Sequence, residues 1–389
     1  MKPVLVVVLV DALGWTLAGE DAAFAPALPE RRPLATVLGF SSGALPTAFT
    51  GASAREHGRW LMYRRAPEGG GVFRDLGWLR WLPSRVRRSW RMTQWLTARV
   101  AARVRGYFNL YDVPREDLPA FDLPEQADVF RPGGLPVDSL WDSLERRGLV
   151  WRGWNWRTPE PQARAEALAC LEQGTHDVVF VYSAVLDARL HHEGSRGAGV
   201  KACLADWSRW FDDARLAAER GGRTPWLVLC SDHGMVDVVA TVDVMGALAS
   251  LPVRSGRDYL AFFDSTMARF WWRTPQARDA VRAALGPAQR GRWLDAATLA
   301  REGADFADHR FGEDVFLLEP GVLMVPSYMG RAPLAAMHGY DPAHPDMAGI
   351  LASNRPLPAD VTHLAHLRGH LERMLDALGA PAASGPEAA

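Results

Sequence analysis

The sequence predicts a doubly wound α/β fold with a mostly parallel central sheet, on three observations. Val4-Leu5-Val6-Val7-Val8-Leu9-Val10 is an unbroken apolar run of strand length, the pattern of a strand covered on both faces. Comparable runs recur at His176–Ser183 and Trp226–Ser231, with a weaker one at Gly148–Trp154. Segments with helical spacing separate them: Asp138–Arg147 precedes the weaker strand, and Gly199–Arg220 lies between the later two. Strands that alternate with helices need right-handed crossovers, and these place the strands in parallel.

Two segments break the alternation. Residues 60–135 are rich in Arg, Trp, Pro and Gly, and residues 240–325 carry a fresh set of short elements at Tyr259–Trp272, Pro275–Leu285 and Asp314–Leu318. Both read as insertions capping one edge of the sheet of a single domain over residues 1–378. The tail 379–389, small and polar, is expected to be disordered. At 48% hydrophobic and 23% charged over 389 residues, the chain is globular, which excludes a coiled coil or a disordered polymer. A net charge of −1 argues against a general nucleic-acid binder. Cys170, Cys203 and Cys230 are odd in number and lack CxxC spacing, so they read as small buried residues in a reducing compartment. The apolar run at the N-terminus is short, is followed at once by Asp11, and has no convincing cleavage site. It reads as a buried strand, and a cytoplasmic location is expected.

In open α/β sheets ligands gather at the carboxyl ends of the strands. Here those ends carry one chemistry. Asp11 follows the first strand, Asp187 and His191 follow the second in D-A-R-L-H-H-E-G, and Asp232-His233 follow the third. His338 lies in the loop M-H-G-Y-D-P. A lone Asp after a strand is ordinarily a helix cap, and a lone His an ordinary polar residue. Gathered at strand ends, they form Asp/His sets that suit zinc or manganese, and Asp187 and His191 share a face if their turn is helical. Between the acidic sites, Gly39–Gly51 reads as a strand end turning into a short helix that begins near Ser41 and Ser42. A serine hydroxyl there feels the positive end of the helix dipole, and a metal ion would lower its pKa much further. Without such ligands both serines would read as N-caps.

The order Asp11, Ser-x8-Thr-Gly, His57-Gly58, D-x3-H-x2-G, S-D-H-G-M and H-G-Y-D resembles the alkaline phosphatase superfamily, in its type I phosphodiesterase/nucleotide pyrophosphatase branch, over about residues 1–58, 176–240 and 320–350. The resemblance implies two divalent metal ions, usually zinc. Asp187, His191 and His338 would hold one. Asp11, Asp232, His233 and the nucleophile would hold the other. Counting nine residues back from Thr50 gives Ser41 as nucleophile, the D-x3-H spacing favours His191 over His192, and His57 is structural. The implied activity is phosphodiesterase-type cleavage of a phosphate ester in two in-line steps through a phospho-serine. Three departures stand out. Gly43 occupies the usual proline position and Pro46 comes later, which pushes the helix start toward Gly43 and keeps Ser42 as the alternative nucleophile. Met62 stands where the branch has an asparagine that contacts a phosphoryl oxygen, and Pro342 where it usually has another asparagine. The first of these weakens a nucleotide substrate and leaves the oxyanion donor unassigned.

Of the 44 basic residues 42 are arginine and there are 16 tryptophans, a usage bias that is partly genomic. Residues 74–107 nevertheless concentrate nine arginines around Trp78, Trp81, Trp90, Trp95 and Tyr107, with only Asp75 opposing them. Val86, Trp90, Thr93, Thr97, Val100 and Val104 fall at helical spacing. This segment is either a cap helix packing that stripe inward or a basic amphipathic surface for an anionic membrane or lipid-linked phosphate. In the second insertion Arg269 is either strand packing or a guanidinium reaching a substrate anion. The expected partner is a phosphate-ester small molecule or lipid-linked phosphate, with no specific nucleic acid. The alternatives are a phosphomonoesterase or phosphomutase, or a membrane- or polyanion-binding protein. A sulfatase is disfavoured, since Ser41-Ser42-Gly43-Ala44-Leu45 lacks the formylglycine motif C/S-x-P-x-R.

Overall fold

The computed structural model describes residues 1–379; most of the tail expected to be disordered lies outside the described residues. The first apolar run forms strand β1 (Pro3–Val10) at the heart of a six-stranded sheet. Val4, Val6, Val8 and Val10 face Trp207, Trp210 and Phe211 of the long helix Ala198–Arg220. Leu5, Val7 and Leu9 face the opposite layer, with Phe49, Trp141 and Leu371. Both faces of β1 are covered, which is why its sequence does not alternate.

The sheet runs in the order Glu30–Leu34, Gly349–Ser353, Thr224–Cys230, β1, Val178–Ser183, Trp151–Trp154. The last four strands are mutually parallel. Gly349–Ser353 runs antiparallel to both of its neighbours. The sheet is therefore mixed and mostly parallel, as expected, with two short added strands at one side, of which the outer, Glu30–Leu34, is interrupted by Pro33. Its register sets the site: Val10 pairs with Ser183 and Leu9 with Cys230, so three strands end side by side. Asp11, the turn leading to Asp187, and Asp232 issue from that common edge.

The second insertion forms a four-stranded antiparallel sheet in the order Tyr259–Phe263, Met267–Trp272, Asp314–Leu318, Gly291–Trp293. Tyr63, Phe73, Leu76, Leu79, Leu96 and Val100 of the first insertion pack into the same apolar core, so the two insertions build one cap. The expected inward stripe of the first insertion is only half right. The helix breaks at Arg88-Ser89 into Ser84–Arg87 and Trp90–Ala101, with Ser89 capping the second piece. Leu96, Val100 and Val104 point inward, whereas Val86 and Trp90 are 44% and 71% exposed.

Arg269 requires a correction. It does not reach a substrate site; it is fully buried in the cap, because both faces of its strand are covered. Its Nε donates to Asp264 Oδ2 at 2.9 Å, Nη1 donates to the Tyr63 carbonyl at 2.8 Å, and the guanidinium lies 4.6 Å from the Phe262 ring centre. Truncating one member of such a pair strands a buried charge. Arg269→Met should therefore lower stability by about 3–5 kcal/mol in urea unfolding, and Asp264→Leu/Arg269→Met should recover most of that loss. A double variant no better than the single one would contradict the pairing.

Candidate metal centre

Two sets of ligand-type atoms meet beyond the strand ends: Asp187, His191 and His338, and Asp11, Asp232 and His233. Each arrives by local necessity. Asp187 lies in the first turn of helix Val185–Glu193, and His191 follows one turn later on the same face, while His192 is exposed. Asp11 is held by Tyr182, whose hydroxyl donates to Asp11 Oδ2 at 2.5 Å from the adjacent strand. Ala12 has a φ of 61°, a left-handed turn that brings its N–H toward Asp232 Oδ1 at 3.3 Å. Thr36 donates to the Asp232 carbonyl at 2.6 Å.

The histidines show what the site can accept. His191 Nδ1 donates to the Ala336 carbonyl at 2.9 Å, and His233 Nδ1 to the Gly234 carbonyl at 2.9 Å. These bonds assign the proton to Nδ1 and leave a lone pair on each Nε2. Yet His191 Nε2 lies 3.3 Å from Asp187 Oδ1, and His233 Nε2 lies 3.3 Å from both Asp11 Oδ1 and Asp232 Oδ2. Lone pair faces carboxylate in each case. Asp11 Oδ1, Asp187 Oδ1 and Asp232 Oδ2 are all buried without a hydrogen-bond partner. Only a cation, whether proton or metal, satisfies such an arrangement.

The electrostatics agree. Burial raises the Asp11 pKa well above the carboxylate range, and the charges of Asp232 and Asp187 raise it further. Burial draws His191 down, but the Asp187 carboxylate, which would accept a hydrogen bond from Nε2 once that nitrogen is protonated and attracts the resulting charge, outweighs it and holds the imidazole above its ordinary pKa. His338 is pushed well below its ordinary value by burial, then by His233 and His191, so it is a neutral imidazole as a ligand must be. It stacks on His233 with ring centres 3.9 Å apart. Asp/His donors of this kind fit zinc or manganese.

Helix Ser41–Thr50 points its first turn at the site. It starts at Ser41, two residues earlier than Pro46 led one to expect, with Phe40 as an extended N-cap; neither serine is the cap. Pro46 is tolerated because it deprives only the Ser42 carbonyl of its helical partner. Ser41 Oγ lies 3.0 Å from His233 Nε2, whereas Ser42 Oγ donates away from the site to the Trp60 carbonyl at 3.2 Å. Gly43 is required there, since a Cβ would sit 2.6 Å from the same carbonyl oxygen. His57 is buried away from both ligand sets, against the Thr47 hydroxyl at 3.0 Å.

Above this floor opens a cavity of about 320 Å³. One wall holds Ser41, Asp11, Asp187, His191 and His338, and the others include Met62, Tyr107, Phe130, Trp156 and Met329. Tyr107 and Trp156 meet edge to face at 5.2 Å. Asn109 lines the cavity beside Met62, its backbone N–H donating to the Met62 sulfur at 3.3 Å. Neither lysine nor arginine lines it. Tyr182, Asn109 and Trp156 were not legible as site residues, because cross-strand register and the folding of the first insertion bring them here.

No protein-family model matches the chain, and no curated protein matches it by sequence. Solved structures do match in fold. Human ectonucleotide pyrophosphatase/phosphodiesterase 5 superimposes with a TM-score of 0.66 at 13% identity, covering 97% of this chain and 95% of that one. The murine protein gives 0.65 at 15% identity with the same coverage, as does its inactive threonine-to-alanine variant in complex with AMP. The chain thus has the alkaline phosphatase-like α/β fold over nearly its whole length. Within that class, it is most usefully compared with the type I phosphodiesterase/nucleotide pyrophosphatases.

Two divalent ions should bind, and a ligand that binds only the folded state at 100 times its Kd adds about 2.7 kcal/mol of stability. Titration calorimetry should resolve two binding events, with Asp11→Asn and Asp187→Asn each weakening a different one by at least about 100-fold. Loss of the same event in both variants would contradict two separate sites.

Proposed function

We propose that the protein is a metal-dependent phosphohydrolase that cleaves phosphodiesters, with Ser41 as nucleophile. The observation that carries this reading is that a serine hydroxyl, 3.0 Å from His233 Nε2, lines the same cavity as Asp11, Asp187, His191 and His338 of the two Asp/His sets. Asp187, His191 and His338 would hold one ion, and Asp11, Asp232, His233 and Ser41 the other. When bound, the ions supply Lewis-acid stabilisation of the phosphoryl oxygens and of the attacking and leaving oxygens.

The chain's own residues do the rest. Tyr182 and Thr36 fix the orientation of Asp11 and Asp232. Gly43 and the Trp60 carbonyl hold the first turn of the serine helix close, directing Ser41 inward and Ser42 away. In the first step Ser41 Oγ bonds to phosphorus as the ester P–O bond breaks, and the proton that Ser41 gives up to solvent is balanced by the one the departing alkoxide takes up to leave as an alcohol. Water then cleaves the Ser41–phosphate bond and restores the hydroxyl. Asn109 is the side-chain amide available for a phosphoryl oxygen where Met62 offers none.

The preference for a diester rests on charge and shape. Among the described residues no Lys or Arg lines the cavity to add to the ions' hold on the second charge of a monoester dianion. A diester carries one charge, and its second organic group can lie against Tyr107, Phe130 and Trp156. The names of the fold relatives, pyrophosphatase and phosphodiesterase, accord with this.

A panel of an aryl phosphodiester, an aryl phosphomonoester and a nucleotide pyrophosphate, assayed with and without chelator, tests the reading. The aryl diester should be the best substrate, with activity lost to chelator and restored by zinc or manganese. Ser41→Ala should lower kcat by about 10³-fold or more while both metal-binding events persist, and Ser42→Ala should stay within about tenfold of the parent. The reverse ranking would move the nucleophile by one residue, and a metal-loaded protein inert on every ester would end the enzymatic reading.

A further inference from the structure

We propose that the face formed by Trp78–Arg91 is a docking surface for an anionic lipid bilayer, with a headgroup phosphate received in the arginine-lined cavity beside it. Three observations converge on this face. The first is exposed aromatic surface. Trp81 and Trp90 are 77% and 71% exposed, Val86 is 44% exposed, and Trp78 and Trp95 are partly exposed edge to face. Helix Trp90–Ala101 buries Leu96 and Val100 inward, so the outward tryptophans are surplus to the cap's own core. Large apolar side chains left in water at adjoining positions mark an interaction site.

The second is uncompensated charge. Asp75 is occupied by Arg74, Arg99 and Arg103, and Glu116 by Arg87. Arg80, Arg85, Arg88 and Arg91 are exposed, and among the described residues none has a carboxylate partner. The third is concavity. A cavity of about 440 Å³ opens between the junction of the two helices, the loop 112–116 and the residues Met245, Tyr328 and Arg331, lined by Arg87, Arg88, Arg115 and Arg331 against Asp112 and Glu116. Buried Arg115 is anchored on the Tyr111 carbonyl and the Thr93 hydroxyl. Glu116 is taken by Arg87 and Asp112 by Arg331, so Arg88 and Arg115 leave the cavity cationic, and guanidinium matches phosphate geometry.

Tryptophan with arginine is the pairing of a membrane interface, where the ring sits at headgroup depth and the cation meets anionic lipid. The net charge of the chain, −1, makes this attraction local rather than general, which disfavours a nucleic-acid track. The inference is independent of the proposed hydrolysis, and its test reads no turnover.

The test is sedimentation of the full chain with vesicles of phosphatidylglycerol and phosphatidylcholine, or phosphatidylcholine alone, at low and at physiological ionic strength. Binding to the anionic vesicles should exceed binding to the neutral ones by about tenfold or more and weaken with salt. Trp81→Ser/Trp90→Ser and Arg88→Glu/Arg91→Glu should each lose about tenfold or more while unfolding at the parent's temperature. Equal binding to both vesicles, no binding at low salt, or variants that bind like the parent would overturn the proposal. So would binding to heparin or single-stranded DNA without vesicle binding, which would make the face a polyanion site. Release from vesicles by soluble glycerol phosphate would also overturn it, by reducing the cavity to a site for free phosphate esters.

Discussion

The structure depends on one electrostatic constraint: three carboxylates and three imidazoles are forced together where parallel strands end. The register of β1 against its two neighbours leaves Asp11 and Asp232 no room to separate. Carboxylate oxygens and imidazole lone pairs then face one another at 3.3 Å, and Asp11 Oδ1, Asp187 Oδ1 and Asp232 Oδ2 are buried without a hydrogen-bond partner among the described residues. Such a cluster costs stability unless cations occupy it. The covered sheet, the Tyr182 hydroxyl and the left-handed turn at Ala12 all sustain an arrangement that would otherwise fly apart. Local cost concentrated at strand ends is what a functional site looks like in an otherwise self-consistent fold.

The cap follows from the same constraint. Metal-type ligands at an open sheet edge would be washed by solvent, and the two insertions fold together into one body with its own core over that edge. It contributes the aromatic wall of the cavity, Tyr107 from the first insertion facing Trp156 from the core. The Asp264–Arg269 pair is buried within this body, with Asp264 at the cavity wall and Arg269 behind it. A buried guanidinium among rings looks, in sequence, just like one that awaits an anion.

How much was legible in the sequence depended on the range of the signal. Strands covered on both faces announce themselves as apolar runs, and three of the four expected strands lie within two residues of their observed ends. Asp and His at strand ends are likewise local features, so the candidate ligands could be named from the residues, whereas their division into two sets came from the resemblance to a known family. What stayed hidden was long-range. Gly349–Ser353 owes its existence to pairing with Thr224–Cys230, and the edge strand Glu30–Leu34 to pairing with Gly349–Ser353 in turn. The helix start at Ser41 depends on Trp60 packing against Gly43, which no helix rule encodes. The outward turn of Trp90 follows from the break at Ser89, which a continuous helical stripe cannot anticipate.

Central to this account is that the two Asp/His sets are ion sites, and anomalous X-ray diffraction from crystals grown with zinc tests it most directly. The account predicts two anomalous peaks, one among Asp187, His191 and His338 and the other among Asp11, Asp232 and His233 beside Ser41. A single peak, or peaks elsewhere with both clusters bare, would contradict it.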